Sequence, residues 1–188
     1  MQEKKLYTLL VYSENVAGIL NQITAVFTRR QVNIESLNVS ASSIEHVHKY
    51  TITAWSTPCQ IEKITLQIEK KIDVIKANYF TDDELFFRET GLYKLSTQEV
   101  LAHTEISNTI RSFDASITEV NPTYVIAMKY GTTDEITSLY EALNQYGCVL
   151  QYTRSGRIAV TRSTQEKVSE FLDSRVSPQK PDKSEQPY

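Results

Sequence analysis

Cysteine is nearly absent: Cys59 and Cys148 are the only two in 188 residues, far apart and without CxxC spacing. That spacing excludes both a disulfide framework and a cysteine-based zinc site, and both thiols read as buried and inert. Glycine is scarce as well, at five residues, and GxGxxG, P-loop, GxSxG and HExxH patterns are all missing. The common nucleotide-binding, hydrolase and zinc-protease chemistries therefore have no foothold. Apolar runs stay far short of the roughly 20 residues that a membrane-spanning helix needs. The start, MQEKKLYTLL, has no apolar stretch of signal-peptide length, which places the chain in the cytoplasm as an expectation. Basic excess is also missing: 20 Lys and Arg face 23 Asp and Glu, a net charge of -3, so no bulk patch awaits a phosphate backbone and nucleic acid is not an expected partner. What is present, 40% hydrophobic and 23% charged residues, suits a folded chain of one ordinary domain or two small ones.

The order of local patterns favours two. KKLYTLLVYS reads as a buried strand ending near Ser13, and Ile19, Ile23, Val26 and Phe27 then form one helical stripe that closes on Arg29-Arg30. Val32 to Ser40 and Val47 to Trp55 read as strands. Thr57-Pro58-Cys59-Gln60 predicts a helix start with a capping box and Pro at the first helical position, followed by the stripe Ile61, Ile64, Ile68. Ile72 to Phe80 completes a βαββαβ order.

The order then repeats. Gly91 to Leu95 predicts a short strand. Ser96 to Glu99 predicts a capping box opening one helix with Ala102, Ile106, Ile110 and Phe113 on a side. Ala115 to Val120 and Thr123 to Tyr130 flank the turn dipeptide Asn121-Pro122 and should pair antiparallel. Thr132 to Glu135 predicts a third capping box, followed by Ile136, Leu139, Tyr140, Leu143 and Tyr146, with Gly147 as the stop. Val149 to Tyr152 and Arg157 to Val160 close the unit. The expected class is α+β: two ferredoxin-like βαββαβ domains at 1–80 and 91–165, a linker at 81–90, a short helical extension at 166–176 and a disordered tail at 177–188. Each is an antiparallel sheet with helices on one face. The apolar strands imply that the second sheet faces are also covered, so a homodimer or larger assembly is expected.

Few residues carry chemistry. His46 and His48 lie two apart on an expected strand, without an evident third metal ligand, and Asp82-Asp83-Glu84 reads as a solvated linker. The informative stretch is Glu14 to Leu20. A helix N-terminus offers unpaired N–H groups and a positive dipole end to a carboxylate, Gly18 lets amides approach it, and Asn15 suits a capping role. Asn33 follows the same helix. Packed across two monomers, the first loop of one chain and the Asn33 region of the other could take the carboxylate, ammonium and apolar side chain of an amino acid.

YTLLVYSENVAGILNQITAVFTRRQVNIESLNV resembles the N-terminal ACT domain of the acetolactate synthase (acetohydroxyacid synthase) small-subunit family. The likeness rests on the Glu14 to Leu20 loop, Phe27 to Arg30, Asn33 to Leu37, Ile72 to Ile75, Arg88-Glu89 and Arg154 to Val160, in order, over about residues 4 to 163. It implies a non-catalytic regulatory subunit that binds the large catalytic subunit, raises its activity and confers feedback inhibition by a branched-chain amino acid, usually valine. Thiamine diphosphate, Mg and FAD would belong to that partner, with no cofactor or metal in this chain. Carried over, Asn15, Gly18 and Asn33 match the effector site at an ACT-ACT dimer interface, with the backbone of Val16, Ala17, Ile19 and Leu20 as donors and Ile34 alongside. The family commonly has Gly before an aromatic ahead of its Asn, whereas Gln31-Val32 stand here; a turn needing positive φ would strain Gln31. Alternatives of other kinds are an ACT-type sensor of another enzyme, an RNA-binding βαββαβ module lacking its RNP1 motif, and an acylphosphatase-like enzyme lacking its loop arginine.

Overall fold

The apolar run of the first segment forms β1 (Lys5–Glu14), one of the two inner strands of the first unit in the computed structural model, which describes residues 3–164 and 168. Around it come α1 (Ile19–Arg29), β2 (Ser36–Ala41), β3 (Val47–Ser56), α2 (Pro58–Glu69) and β4 (Val74–Phe80). The sheet runs β2-β3-β1-β4, antiparallel throughout. The second unit repeats the plan with β5 (Leu85–Ser96), α3 (Thr97–Ala102), α4 (Thr104–Ser112), β6 (Ser116–Val120), β7 (Tyr124–Gly131), α5 (Thr133–Asn144) and β8 (Val149–Arg154), in the order β6-β7-β5-β8. β9 (Ile158–Thr161) pairs with residues Leu85 to Arg88 of β5. The α+β, ferredoxin-like class is as expected.

Strand period 2 and helix period 3.6 meet in each core. Tyr7, Leu9 and Val11 of β1 pack under Ile19, Ile23 and Phe27 of α1 and Ile61, Ile64 and Ile68 of α2. In the second unit Tyr93 and Leu95 meet Ile106 and Ile110 of α4 and Ile136, Leu139 and Leu143 of α5. Gly91 is required there: a Cβ would sit 2.7 Å from the Ile136 side chain and 2.9 Å from the Tyr93 hydroxyl, which itself donates to the Ile136 carbonyl at 2.7 Å. On the rear of the first sheet, Leu10, Tyr12 and Phe80 are buried under Leu85, Ala159 and Val168 of the same chain. Cover by a second chain is thus unnecessary on that patch.

Several local expectations differ. Residues 85–90, read as linker, are the first half of a twelve-residue strand, β5. Only Thr81 to Glu84 connects the units, as a 3-10 turn with a capping box between Thr81 and Glu84. The single helix expected after Ser96 breaks at His103, which is extended, so Val100 rather than Ala102 reaches the core. β2 starts at Ser36 rather than Val32. Thr57 makes no side-chain cap hydrogen bond, and the Gln60 side chain, the other half of the expected box, donates its amide to the Arg30 carbonyl at 3.0 Å. His46 lies in a turn with φ 62, off the strand that carries His48. Cys59 is exposed; Cys148 is buried as expected. The short helix expected at 166–176 and the disordered tail expected at 177–188 lie outside the described residues apart from Val168, which is helical and buried.

The units meet over a cavity of about 330 Å³. Glu89 and Arg157, both under a tenth exposed, lie in its wall. The Arg157 guanidinium donates to the Asp82 carboxylate at 2.6 and 3.3 Å, lies 3.8 Å from Glu89 Oε1, and stacks 3.8 Å over the Phe87 ring. It also donates to Thr8 Oγ1 of β1 at 3.3 Å. Glu89 accepts from Thr133 Oγ1 at 2.7 Å and from Arg154 at 3.3 Å. The buried charges are paired and hydrogen-bonded, as burial demands.

Candidate functional site

The site expected at the first loop is built on the start of α1. Its backbone is held from both sides: the Glu14 N–H donates to the Asp73 carbonyl at 2.9 Å and the Asn15 N–H to the His46 carbonyl at 3.1 Å. The cap of α1 is Gly18, left-handed at φ 89, with no side-chain hydrogen bond to the helix start; Asn15 does not take the capping role read from the sequence. A Cβ at Gly18 would meet nothing within 4 Å, so the conformation, not space, selects glycine there. The N–H groups of Ala17, Gly18, Leu20 and Asn21 find no acceptor among the described residues, whereas those of Val16 and Ile19, expected among the donors, are already bonded to the Glu14 and Val16 carbonyls at 3.0 and 3.4 Å; no acidic residue occupies the first turn of α1. The dipole end is therefore open and uncompensated, which suits an incoming carboxylate. Asn15, Val16, Ala17, Gly18 and Leu20 are exposed around it, while Ile19 is buried and anchors the turn.

Asn33 lies beyond the other end of α1. Eleven helical residues span about 16 Å at 1.5 Å each, so one chain does not bring Asn15 or Gly18 to Asn33. Asn33 and Ile34 instead line an open groove of about 300 Å³ with Thr24, Phe27, Thr28, Gln31 and Val32. Thr24 and Thr28, which sequence reading missed, edge this groove one helical turn apart; their hydroxyls bond back to the carbonyls of Leu20 and Thr24. Polar residues at i and i+4 beside the apolar stripe were the available signal.

The turn between α1 and Asn33 needs a left-handed residue. Gln31 takes φ 53, with its N–H on the Thr28 carbonyl and the Val32 N–H on the Phe27 carbonyl, a Schellman motif. The strain expected of Gln31 is thus present in the fold. Asp114 occupies the matching position after α4, with φ 53 and the same bond pair at Arg111 and Ile110. β2, which follows Asn33, is an edge strand with one side unpaired among the described residues, and Val39 on it is exposed.

No group of three or more His, Cys, Asp or Glu among the described residues could hold a metal ion, and no described helix is long and apolar enough to cross a membrane.

Two family descriptions match the chain in succession: "AHAS small subunit-like ACT domain" over residues 9–76 and "Small subunit of acetolactate synthase" over residues 88–163. The chain is 34% identical over 167 residues to the acetolactate synthase small subunit of Bacillus subtilis, covering 88% of this chain and 95% of that one. It is 30% identical over 154 residues to the Haemophilus influenzae small subunit, covering 82% and 94%. The crystal structure of the Thermotoga maritima acetolactate synthase small subunit shares the fold at a TM-score of 0.76, with 23% identity over 86% of this chain and 99% of that one. The chain belongs to the acetolactate synthase small-subunit family, with an ACT-like first unit.

Proposed function

We propose that this chain is the regulatory subunit of acetolactate synthase: it binds the large catalytic subunit, raises its activity and makes it sensitive to a branched-chain amino acid, valine. Thiamine diphosphate, Mg and FAD belong to the partner's chemistry, and this chain works in the cytoplasm as a non-catalytic subunit. The observation that carries the reading is the open N-terminus of α1 at Gly18, separated by the length of that helix from Asn33. Two chains paired through the edge strands β2 would bring one chain's first loop to the other's Asn33 groove. The effector carboxylate then takes the amides of Ala17, Gly18, Leu20 and Asn21. Its ammonium takes the Asn15 and Asn33 side chains, and its branched side chain meets Val16, Leu20 and Ile34. Such an effector changes activity only by the difference in its affinity for two states of the complex.

Gly18→Asp tests this directly. Asp tolerates a left-handed backbone better than most residues and meets no steric block at 18, so the variant folds. Its carboxylate occupies the effector's place, and the expected result is loss of L-valine inhibition with activation of the catalytic subunit retained. Valine inhibition unchanged in the reconstituted variant complex defeats the reading. Calorimetry of the chain with valine, leucine and isoleucine ranks the effectors, and Asn33→Ala should remove the saturable heat.

A further inference from the structure

Resting on the regulatory reading above, we propose that the loop Arg154 to Arg157 is the relay that couples the effector site of the first unit to the second unit. Asn33 and Ile34 run directly into Glu35 and Ser36, the start of β2. Gly156 is seated on that start: a Cβ at 156 would lie 3.1 Å from Ser36 Cβ and 3.5 Å from its hydroxyl, and Gly156 is left-handed at φ 76. Ser36 cannot yield independently of the sheet, because its Oγ is 2.6 Å from Thr53 Oγ1 and the Glu35 N–H donates to the Thr53 carbonyl at 2.8 Å. A shift of residues 33–36 on binding an effector is therefore passed to the loop, since packed contacts do not absorb displacement.

The other side of the loop grips the second unit. The Ser155 N–H donates to the Thr90 carbonyl, and the Thr90 N–H donates to Ser155 Oγ, both at 3.0 Å. Arg154 and Arg157 converge on Glu89, which accepts from Thr133 in the first turn of α5. Three contacts thus connect Ser36 to the start of α5: Ser36 with Gly156, the loop arginines with Glu89, and Glu89 with Thr133. One contact is suited to open and close. Arg154 is 37% exposed and reaches Glu89 at 3.3 Å; if it swings out, its charge passes to water while Glu89 keeps Arg157 and Thr133. Opening any other ionic contact of Glu89 would leave a buried charge with less compensation, which is strongly disfavoured. The made and broken Arg154–Glu89 contact supplies the two arrangements that coupling requires.

An effector that shifts the complex binds its two states with different affinity, and because docking of the catalytic subunit selects one of them through the relay, the free chain and the complex bind the effector with different affinity. The test is to titrate L-valine into the full chain alone and into its complex with the catalytic large subunit, and to take the ratio of the two dissociation constants. The wild type should give a ratio in the usual coupling range of about 5- to 150-fold. Arg154→Gln should bring the ratio to within about twofold of one, leaving the dissociation constant of the chain alone and the valine-free activation unchanged. Arg154→Lys, which keeps the charge, should retain most of the coupling. A wild-type ratio in Arg154→Gln overturns the relay. So does an equal loss of valine affinity in chain and complex, since the loop would then be part of the effector site. A ratio of one in the wild type overturns the relay; valine inhibition of the same wild-type complex, assayed alongside, keeps the regulatory reading distinct, since that reading falls only if the inhibition is absent as well.

Discussion

The two units share one topology but leave different things unsatisfied. In the first, the rear of the sheet is covered by the chain's own β5, β9 and Val168, burying Leu10, Tyr12 and Phe80, while the start of α1 stays uncapped behind Gly18. In the second, the starts of α3 and α5 are closed, by Ser96 and by a full capping box of Thr132 and Glu135, and α4, which has no side-chain cap at His103, carries Glu105 in its first turn. Its outer sheet face, however, exposes Phe86, Leu92, Tyr130, Ile158 and Val160. The duplicated fold has thus kept open backbone donors without acidic compensation at α1 in one copy and an apolar outer sheet face in the other. A small ligand needs the former; a protein surface is covered by the latter.

The contrast can be broken most strongly at the two sheet faces. Leu10→Ala should destabilise the chain by about 2–5 kcal/mol, as for a fully buried leucine, and Leu92→Ala by under about 1 kcal/mol. Urea denaturation of both variants checks this, and an equal cost would show that Leu92 is covered by a second copy in solution. The helix starts come next. Thr132→Ala should cost about 1 kcal/mol and Asn15→Ala less than about 0.3 kcal/mol, because only Thr132 caps. The Thr132 backbone N–H and side chain hold the Glu135 carboxyl below its ordinary range. A depressed carboxyl contributes stability above its unfolded pKa and loses it as pH falls through the folded value. The difference between wild type and Thr132→Ala should therefore shrink below about pH 4.

Smaller effects sharpen the comparison of turns and thiols. Gln31→Gly should stabilise by up to about 1 kcal/mol by removing left-handed strain, and Asp114→Gly by less, since Asp adopts that conformation more readily. Thermal melts of the two variants decide it. Cys59 should react readily with a thiol reagent in the native chain and Cys148 should not, because burial pushes the Cys148 thiol up and its Sγ donates to the Leu143 carbonyl. Labelling followed by mass measurement reads this out.

Helix stripes such as Ile19, Ile23, Val26, Phe27 and the Thr132 capping box were legible because they are made by residues within two turns of one another. Residues 85–90 were not. Arg88 and Glu89 read as polar linker, and Glu89 is tolerated in a buried strand only because Arg154 and Arg157, some 65 residues onward, pair it. The Thr57 box failed for the same kind of reason, its Gln60 being drawn to a carbonyl across the helix pair. At the candidate site, Asn15, Gly18 and Asn33 were legible as a motif. That Gly18 rather than Asn15 starts the helix, and that Thr24 and Thr28 edge the Asn33 groove, was not.

By itself the sequence determined the class of each unit, the faces of most helices and the chemistry of the first loop, since hydrophobic period and turn residues act over a few positions. Tertiary structure alone decided that β5 runs unbroken out of the connection, that its first half and β9 cover the first sheet, and that Gly156 rests on Ser36. Those outcomes depend on charges and surfaces far apart in the chain, whose pairing has meaning only once the units have packed.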